Sequence, residues 1–236
     1  MVEVRMDGGV ARVLLARAEK ANALDSPHLE ELSRAFRELK GREDLHVAVL
    51  AGAGKAFCGG ADVRELGSLS ESNAGAFVAR IHAVCEAIRA LPAPVVAQLH
   101  GAVIGAGLEI AAACDLRIAA PGTKFAMPEV RLGIPSVVEA ALLPRLMGAG
   151  RAAWLVMTAE AIDAQRAFDW GLVEEVGGEE AVERTVKTLL GAERGALRAQ
   201  KALCRLWEEA PLSVSIARSI DLFAESYGQA RFRKPG

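Results

Sequence analysis

Short apolar segments, followed by glycine-containing loops and then by helical patterns, recur along the first half of this chain. Four such segments predict strands, at residues 10–15, 46–51, 95–99 and 115–119. Two amphipathic patterns predict helices, at residues 26–39 and 76–91. The resulting ββα-type rhythm restricts the chain to an α/β fold more strongly than any other feature of the sequence.

The pattern changes to almost continuous helix in the second half. Candidate helices cover residues 151–158, 161–170, 181–190, 196–209 and 213–227. We therefore expect an α/β core over residues 1–145 and a helical region over residues 146–236.

Charge, cysteine usage and hydropathy exclude several classes of protein. The net charge of −2 and the pI near 6.1 give no general attraction for nucleic acid or an anionic membrane surface. The four cysteines are scattered and form no disulfide framework, which favours a reducing, cytoplasmic compartment. The amino terminus does not read as a signal peptide, and no segment reaches the roughly 20 apolar residues of a membrane span.

Two glutamates in apolar surroundings are the strongest candidates for chemistry. Glu109 lies in the segment Gly-Ala-Gly-Leu-Glu-Ile, and Glu129 lies in Phe-Ala-Met-Pro-Glu-Val. A single Glu on a helix is usually solvated, but a carboxylate among apolar side chains costs several kcal/mol unless it is paired, hydrogen-bonded or protonated. Two such groups facing one ligand could divide the roles of acid and base.

Two glycine-rich loops precede these glutamates. The first loop, residues 52–62, lacks a Walker lysine followed by Ser or Thr and also lacks the dinucleotide-binding spacing. Its glycines could simply serve turns and packing. The second loop, residues 101–107, resembles it in composition, and free backbone N–H groups from both loops could converge on one carbonyl oxygen.

The residues of both loops match a known pattern. Residues 55–63, Lys-Ala-Phe-Cys-Gly-Gly-Ala-Asp-Val, and residues 104–115, Ile-Gly-Ala-Gly-Leu-Glu-Ile-Ala-Ala-Ala-Cys-Asp, resemble the enoyl-CoA hydratase/isomerase (crotonase) family. Residues 17–24, 128–133 and 143–148 match further family segments in the same order, so the resemblance spans roughly residues 10–205. It implies a crotonase-like ββα spiral core with a carboxy-terminal helical region that assembles a homotrimer or hexamer.

The resemblance also implies an activity, namely the reversible hydration of a 2-enoyl-CoA to a 3-hydroxyacyl-CoA by a lyase of fatty acid metabolism. Ala61 and Ala106 would supply the two N–H donors, Glu109 would activate water, and Glu129 would deliver a proton to the α-carbon. The implied substrate-binding positions are Ala21, Ala23, Leu24, Asp62, Val63, Arg64, Gly105 and Gly133. Coenzyme A enters as part of the acyl-CoA substrate, and no further cofactor or metal is implied.

Two segments depart from the family pattern. Residues 134–141 replace a glycine-rich segment of many hydratases and add a third carboxylate, Glu139, and residues 227–236 form a shortened ending. A double-bond isomerase, another acyl-CoA reaction on the same fold, or a non-catalytic acyl-CoA-binding or RNA-associated homologue therefore remain alternatives.

The sequence assigns no specific function to the remaining polar residues. The four histidines are dispersed without metal-ligand spacing, and we expect Cys58 to serve packing. Arg198, Lys201 and Arg205 predict a basic face on a late helix, which is normally a solvated surface but could meet the phosphates of coenzyme A.

Overall fold

The computed structural model describes residues 2–227, and within them the strands form one six-stranded and one three-stranded sheet. The strands are β1 (Val2–Asp7), β2 (Val10–Leu15), β3 (Val47–Gly52), β4 (Val95–Leu99), β5 (Ala102–Ile104), β6 (Leu116–Ala119), β7 (Lys124–Ala126), β8 (Ile162–Asp163) and β9 (Glu175–Val176). The large sheet has the order β1-β2-β3-β4-β6-β9, with β1 antiparallel to β2 and the other neighbours parallel. In the small sheet, β7 pairs parallel with β5 and antiparallel with β8.

Helices cover both faces of the large sheet and form most of the second half. Over residues 2–227 they are α1 (Ser26–Lys40), α2 (Val63–Leu66), α3 (Glu71–Arg89), α4 (Ala106–Ala113), α5 (Leu143–Met147), α6 (Ala149–Thr158), α7 (Ala164–Trp170), α8 (Glu179–Leu190), α9 (Arg194–Glu209) and α10 (Leu212–Tyr227). Three 3₁₀ turns lie at Ala18–Lys20, Glu129–Leu132 and Val138–Leu142.

Alternation along the parallel strands divides the core into two layers. Ala48 and Leu50 of β3 belong to the large apolar cluster, which also includes buried residues of α1, α3 and α4, whereas Val47 and Val49 belong to a smaller cluster with α8. Successive side chains of a strand point to opposite faces, so a strand buried on both sides reads as a continuous apolar run. This explains why β3 and β4 were recognisable in the sequence.

The predicted α/β fold with a helical carboxy-terminal region is confirmed, with local differences. Helix α3 begins at Glu71 rather than near residue 76, because Ser70 and Asn73 form a capping box ahead of it. The strands β5 and β7 lie in segments that showed no strand pattern, since each has only three residues. The predicted helix 161–170 begins only at Ala164, because Ile162–Asp163 pairs with β7.

The carboxy-terminal half is not separate from the sheets, since β8 and β9 pair with β7 and β6. The division at residue 145 stays a prediction. The expected shortened ending falls almost wholly on residues 228–236, which lie outside the described residues. No helix within residues 2–227 combines the length and the apolar character needed to cross a membrane.

Helix α9 is attached to the core by a buried charge cluster, so the expectation of a solvated basic face was wrong for Lys201. This residue is 6% exposed, and its Nζ lies 2.7 Å from Oδ2 of Asp115 and donates to the carbonyls of Ile88 and Ala93. Arg205 binds the other oxygen of Asp115 at 2.8 Å. Helical periodicity shows which residues share a face of a helix, but it does not show whether that face packs against a buried residue of opposite charge.

Candidate active site

Helix α4 carries Glu109 into the apolar interior. All eight residues of this helix are buried, and Glu109 is 5% exposed. Its Oε1 accepts a hydrogen bond from the N–H of Ala140 at 3.2 Å. Burial raises the pKa of Glu109 to about 8; the negative charges of Glu129 and Glu139 act in the same direction, and the Ala140 N–H opposes them. The carboxyl of Glu109 is therefore predominantly protonated at neutral pH.

Glu129 begins the 3₁₀ turn that follows β7 and packs against the start of α4. Its Oε2 accepts a hydrogen bond from Oγ of Ser136 at 2.8 Å. Its Oε1 would lie 2.5 Å from a Cβ placed on Gly105, whose φ is +51°. Only glycine meets both the steric and the conformational demand at residue 105.

Two backbone N–H groups lie next to these carboxylates. Ala106 is the first residue of α4, so its N–H has no acceptor within the helix. Ala61 forms a parallel bridge with Leu24 whose hydrogen bonds run from Leu24 to Gly60 and from Asp62 to Leu24. This pairing leaves the N–H of Ala61 facing away from Leu24.

These groups line one cavity, which we call the inner cavity. It has a volume of about 270 Å³ and is lined by Ala61, Ala106, Glu109 and Glu129, with apolar side chains such as Ile81 around them. A larger outer cavity of about 740 Å³ shares Val63, Leu132, Val137 and other apolar lining residues with it. It is also lined by Leu69, Glu71 and Ala74, which lie between the first loop and the predicted helix 76–91.

The structure gathers six of the twelve predicted site residues on the inner cavity: Ala61, Val63, Gly105, Ala106, Glu109 and Glu129. The others lie around it. Ala21, Ala23 and Leu24 form the segment that runs behind the first loop, and the Leu24 side chain is in the core. Asp62 caps α2 and binds Arg17 at 3.1 Å, Arg64 is exposed, and Gly133 ends the 3₁₀ turn with φ +79°.

Sequence reasoning missed Asn22, which holds the first loop in place. Asn22 is 1% exposed and adopts φ +55°, a conformation that Asn tolerates better than most residues. Its Nδ2 donates to the carbonyls of Ala53, Ala56 and Phe57, and its Oδ1 accepts from the N–H of Arg17. Asn22 precedes Ala53, the nearest of these acceptors along the chain, by 31 positions, so no local pattern in the sequence linked it to the loop.

Sequence reasoning also missed the pairing of His82 with Glu139. Nδ1 of His82, on α3, lies 2.7 Å from Oε1 of Glu139, which is 6% exposed. The two residues are 57 positions apart, and no local pattern links them.

The expectation that Cys58 serves packing is confirmed. Its side chain is fully buried, its Sγ lies 3.2 Å from the carbonyl of Asn22, and burial raises the pKa of the thiol to about 12. A Cβ on Gly107 would come within 2.7 Å of it, so the second loop packs directly on the first.

Comparisons with known proteins point in one direction. The family model for enoyl-CoA hydratase/isomerase matches residues 5–231. A probable enoyl-CoA hydratase of Bacillus subtilis is 34% identical over 233 residues, which are 97% of this chain and 90% of that protein. A crotonyl-CoA hydratase of Syntrophomonas wolfei is 33% identical over 93% of this chain and 85% of its own length. The crystal structure of an enoyl-CoA hydratase from Mycobacterium smegmatis superposes with a TM-score of 0.92 at 31% identity, covering 94% of this chain and 89% of that one.

Proposed function

This chain belongs to the enoyl-CoA hydratase/isomerase family of enzymes, and we propose that it adds water reversibly to a 2-enoyl-CoA to form a 3-hydroxyacyl-CoA. One observation carries the proposal: Glu109, Glu129, Ala61 and Ala106 line the same inner cavity. Hydration of a conjugated thioester needs these functions together, since charge develops on the carbonyl oxygen while a proton leaves water and another reaches carbon.

The N–H groups of Ala61 and Ala106 are the proposed donors to the thioester oxygen. As negative charge grows on that oxygen, fixed dipoles in a largely apolar cavity stabilise it without having to reorient. The family often has glycine at the position of Ala106, and alanine there keeps the amide, so the N–H donor is retained. The N-terminal end of α4 adds favourable electrostatic potential at the same point.

Glu109 is the proposed base and Glu129 the proposed acid. Two ionised carboxylates around one water repel each other, so the proposed arrangement has one proton on the pair. In the reactive form the proton that the pair holds lies on Glu129 rather than on Glu109, so the ionised Glu109 can take a proton from water while Glu129 gives its proton to the α-carbon. Because the proposed arrangement holds one water between the two carboxyl groups, proton and hydroxyl add from the same side of the double bond.

The two cavities support the proposed substrate class. The outer cavity is lined largely by apolar side chains and adjoins the inner one, which suits the acyl chain of a fatty acyl-CoA. Coenzyme A would enter as part of the substrate, near the segment 21–24 and the turn at Asp62–Arg64, and the proposed chemistry uses no other cofactor. Four free cysteines accord with a reducing, cytoplasmic compartment.

We also propose a homotrimer or hexamer as the working assembly. The outer cavity has exposed apolar residues at its rim, including Val63 (72% exposed) and Leu132 (59%). Helix α10, which packs against α9, also exposes an apolar face. A second copy that covers such surfaces would complete the wall around the acyl chain.

The test follows loss of the conjugated enoyl-thioester absorbance of crotonyl-CoA, with product masses determined for the parent and for Glu109→Gln and Glu129→Gln. We expect a product that gains one water and a fall in kcat of at least about 100-fold in each variant. The substitution Glu160→Gln, at an exposed carboxylate outside the cavity, is the matched control. A shifted double bond without a mass gain would instead show an isomerase, and tight binding without any product would show a non-catalytic acyl-CoA-binding protein.

A further inference from the structure

Glu139 is a third buried carboxylate beside the proposed acid/base pair, and the hydration mechanism gives it no role. Its Oε1 is hydrogen-bonded to Nδ1 of His82, whereas its Oε2 is buried without a hydrogen-bond partner among residues 2–227. Such a group is costly to bury, so a contact or a conformation that it maintains should offset the cost.

The residue before Glu139 adopts a strained backbone conformation. Val138 has φ +38°, a left-handed conformation that is rare and strained for a β-branched residue. Val137 before it is extended and lines both cavities. The chain therefore turns sharply between a cavity-lining residue and Glu139, and neighbouring contacts must hold that turn.

The turn delivers one polar group to the active site. The N–H of Ala140, two residues after Val138, is 3.2 Å from Oε1 of Glu109 and also 2.9 Å from the carbonyl of Val137. The bond to Glu109 is near the long end of the usual range, so a small shift of the turn would break it. The turn itself packs against both α3 and α4.

We propose that the hydrogen bond between His82 and Glu139 holds this strained turn against α3 and thereby keeps the Ala140 N–H on Glu109. His82 and Glu139 are then positioning residues, acting on the acid/base pair through Ala140. The inference rests on the proposed function only for its effect on catalysis, because the geometry of the turn does not depend on turnover.

The surroundings of Glu109 define which charges can affect it. Glu129 faces it from the turn after β7 and Glu139 from the turn after Val138, while α3 contributes the buried thiol of Cys85. The neighbouring strand β5 has no ionisable residue. On its outer side, Glu139 borders a surface cavity that is also lined by charged residues of α3, α5 and α9, namely Glu86, Arg89, Arg145, Glu208 and Glu209.

Substitutions of His82 and of Glu139 should shift the pKa of Glu109 in opposite directions. His82→Ala keeps the Glu139 carboxylate but removes its anchor, so the Ala140 bond weakens and the pKa of Glu109 rises above about 8. Glu139→Gln can still bond to His82 but removes a negative charge, so the pKa of Glu109 falls. His82→Asn should restore the parent behaviour, because an amide nitrogen can donate from nearly the same place as Nδ1.

The experiment titrates Glu109 by carbon-13 NMR of its carboxyl group, assigned with Glu109→Gln, in the parent and in the three variants. We expect the opposite midpoint shifts given above, and a kcat for His82→Ala about tenfold below the parent with little change in KM. Because the His82 side chain is 53% exposed, its removal should leave the fold intact, which circular dichroism would check.

An unchanged Glu109 midpoint in His82→Ala would overturn the proposal, whether or not the protein hydrates crotonyl-CoA. A shifted midpoint in a protein that never hydrates would leave the positioning role standing and remove the proposed function. A loss of kcat that His82→Asn does not restore, without any midpoint shift, would reduce His82 to a structural residue.

Discussion

Individual residues of the site differ in how far the sequence reveals them. Glu109 and Glu129 stood out because a carboxylate in an apolar run is unusual, and both line the inner cavity. Glu139 was visible only as a third carboxylate, since its partner His82 lies 57 positions away. The strain at Val138 and the burial of Asn22 depend on tertiary contacts, and no residue-level pattern encodes them.

Gly105 should be intolerant of any side chain. In Gly105→Ala, the new Cβ would lie 2.5 Å from Oε1 of Glu129 in a backbone conformation that disfavours alanine. Glu129 must move, and we expect kcat for crotonyl-CoA hydration to fall by about 100-fold, as a displaced catalytic group usually causes. Gly122→Ala is the matched control: residue 122 also has positive φ (+84°) but open space around it, so strain alone should leave kcat within about twofold.

Glu109 should make the stability of the protein depend on pH. Its pKa is raised from 4.5 to about 8, so between these values the folded chain binds a proton that the unfolded chain has lost. The protonated Glu109 therefore adds to the free energy of unfolding, by at most about 5 kcal/mol. This contribution is fully present below pH 4.5 and is lost as the pH rises towards 8. In urea unfolding at pH 5 and pH 8, Glu109→Gln should therefore lose less stability with rising pH than the parent. Equal losses in both proteins would contradict the raised pKa.

Whole elements were predictable where they are long and periodic. The helix α1 and the strands β2, β3 and β4 were located within a residue or two, because burial on one or two faces leaves a clear apolar pattern. The strands β5 and β7 were not, since three residues are too few for a pattern, although they bring both glutamates to the inner cavity. The attachment of α9 through a buried lysine was also invisible, because Lys is normally exposed.

Helix α9 should depend on Lys201 for its position. Burial lowers the pKa of this lysine, yet the contact with Asp115 and two carbonyls keeps the group in place. Lys201→Met should lower the free energy of unfolding by about 3 kcal/mol, because it leaves these acceptors buried without their donor. Lys187→Met, the same change at an exposed residue of α8, should stay within about 0.5 kcal/mol in the same urea titrations. Similar losses for both would show that the buried contact contributes little.

At the scale of the whole molecule, the fold and family could be predicted from the sequence, whereas the homotrimer or hexamer that the family resemblance implies stays a prediction. Motifs in family order identify a fold because each motif marks one element of it. In the structure of a single chain, an interface between copies would be visible only as exposed apolar residues. In the sequence, such residues look like ordinary apolar positions of a helix. The structure shows exposed apolar residues on α10, where Leu212, Ile220 and Phe223 are each at least 65% exposed.

The exposed face of α10 should therefore be needed for assembly. The double substitution Ile220→Glu with Phe223→Glu places two charges on this face, and burying them between copies would cost several kcal/mol. We expect the parent to elute as a trimer or hexamer and the variant as a monomer in size-exclusion chromatography with light scattering. Val4→Glu, at a 42% exposed position of the edge strand β1, should leave the assembly unchanged. If a neighbour closes the outer cavity, the monomeric variant should also show a higher KM, more so for long acyl chains than for crotonyl-CoA, because a longer chain loses more apolar contact. An unchanged mass in the double variant would place the interface elsewhere on the surface. A monomeric parent would contradict the proposed assembly.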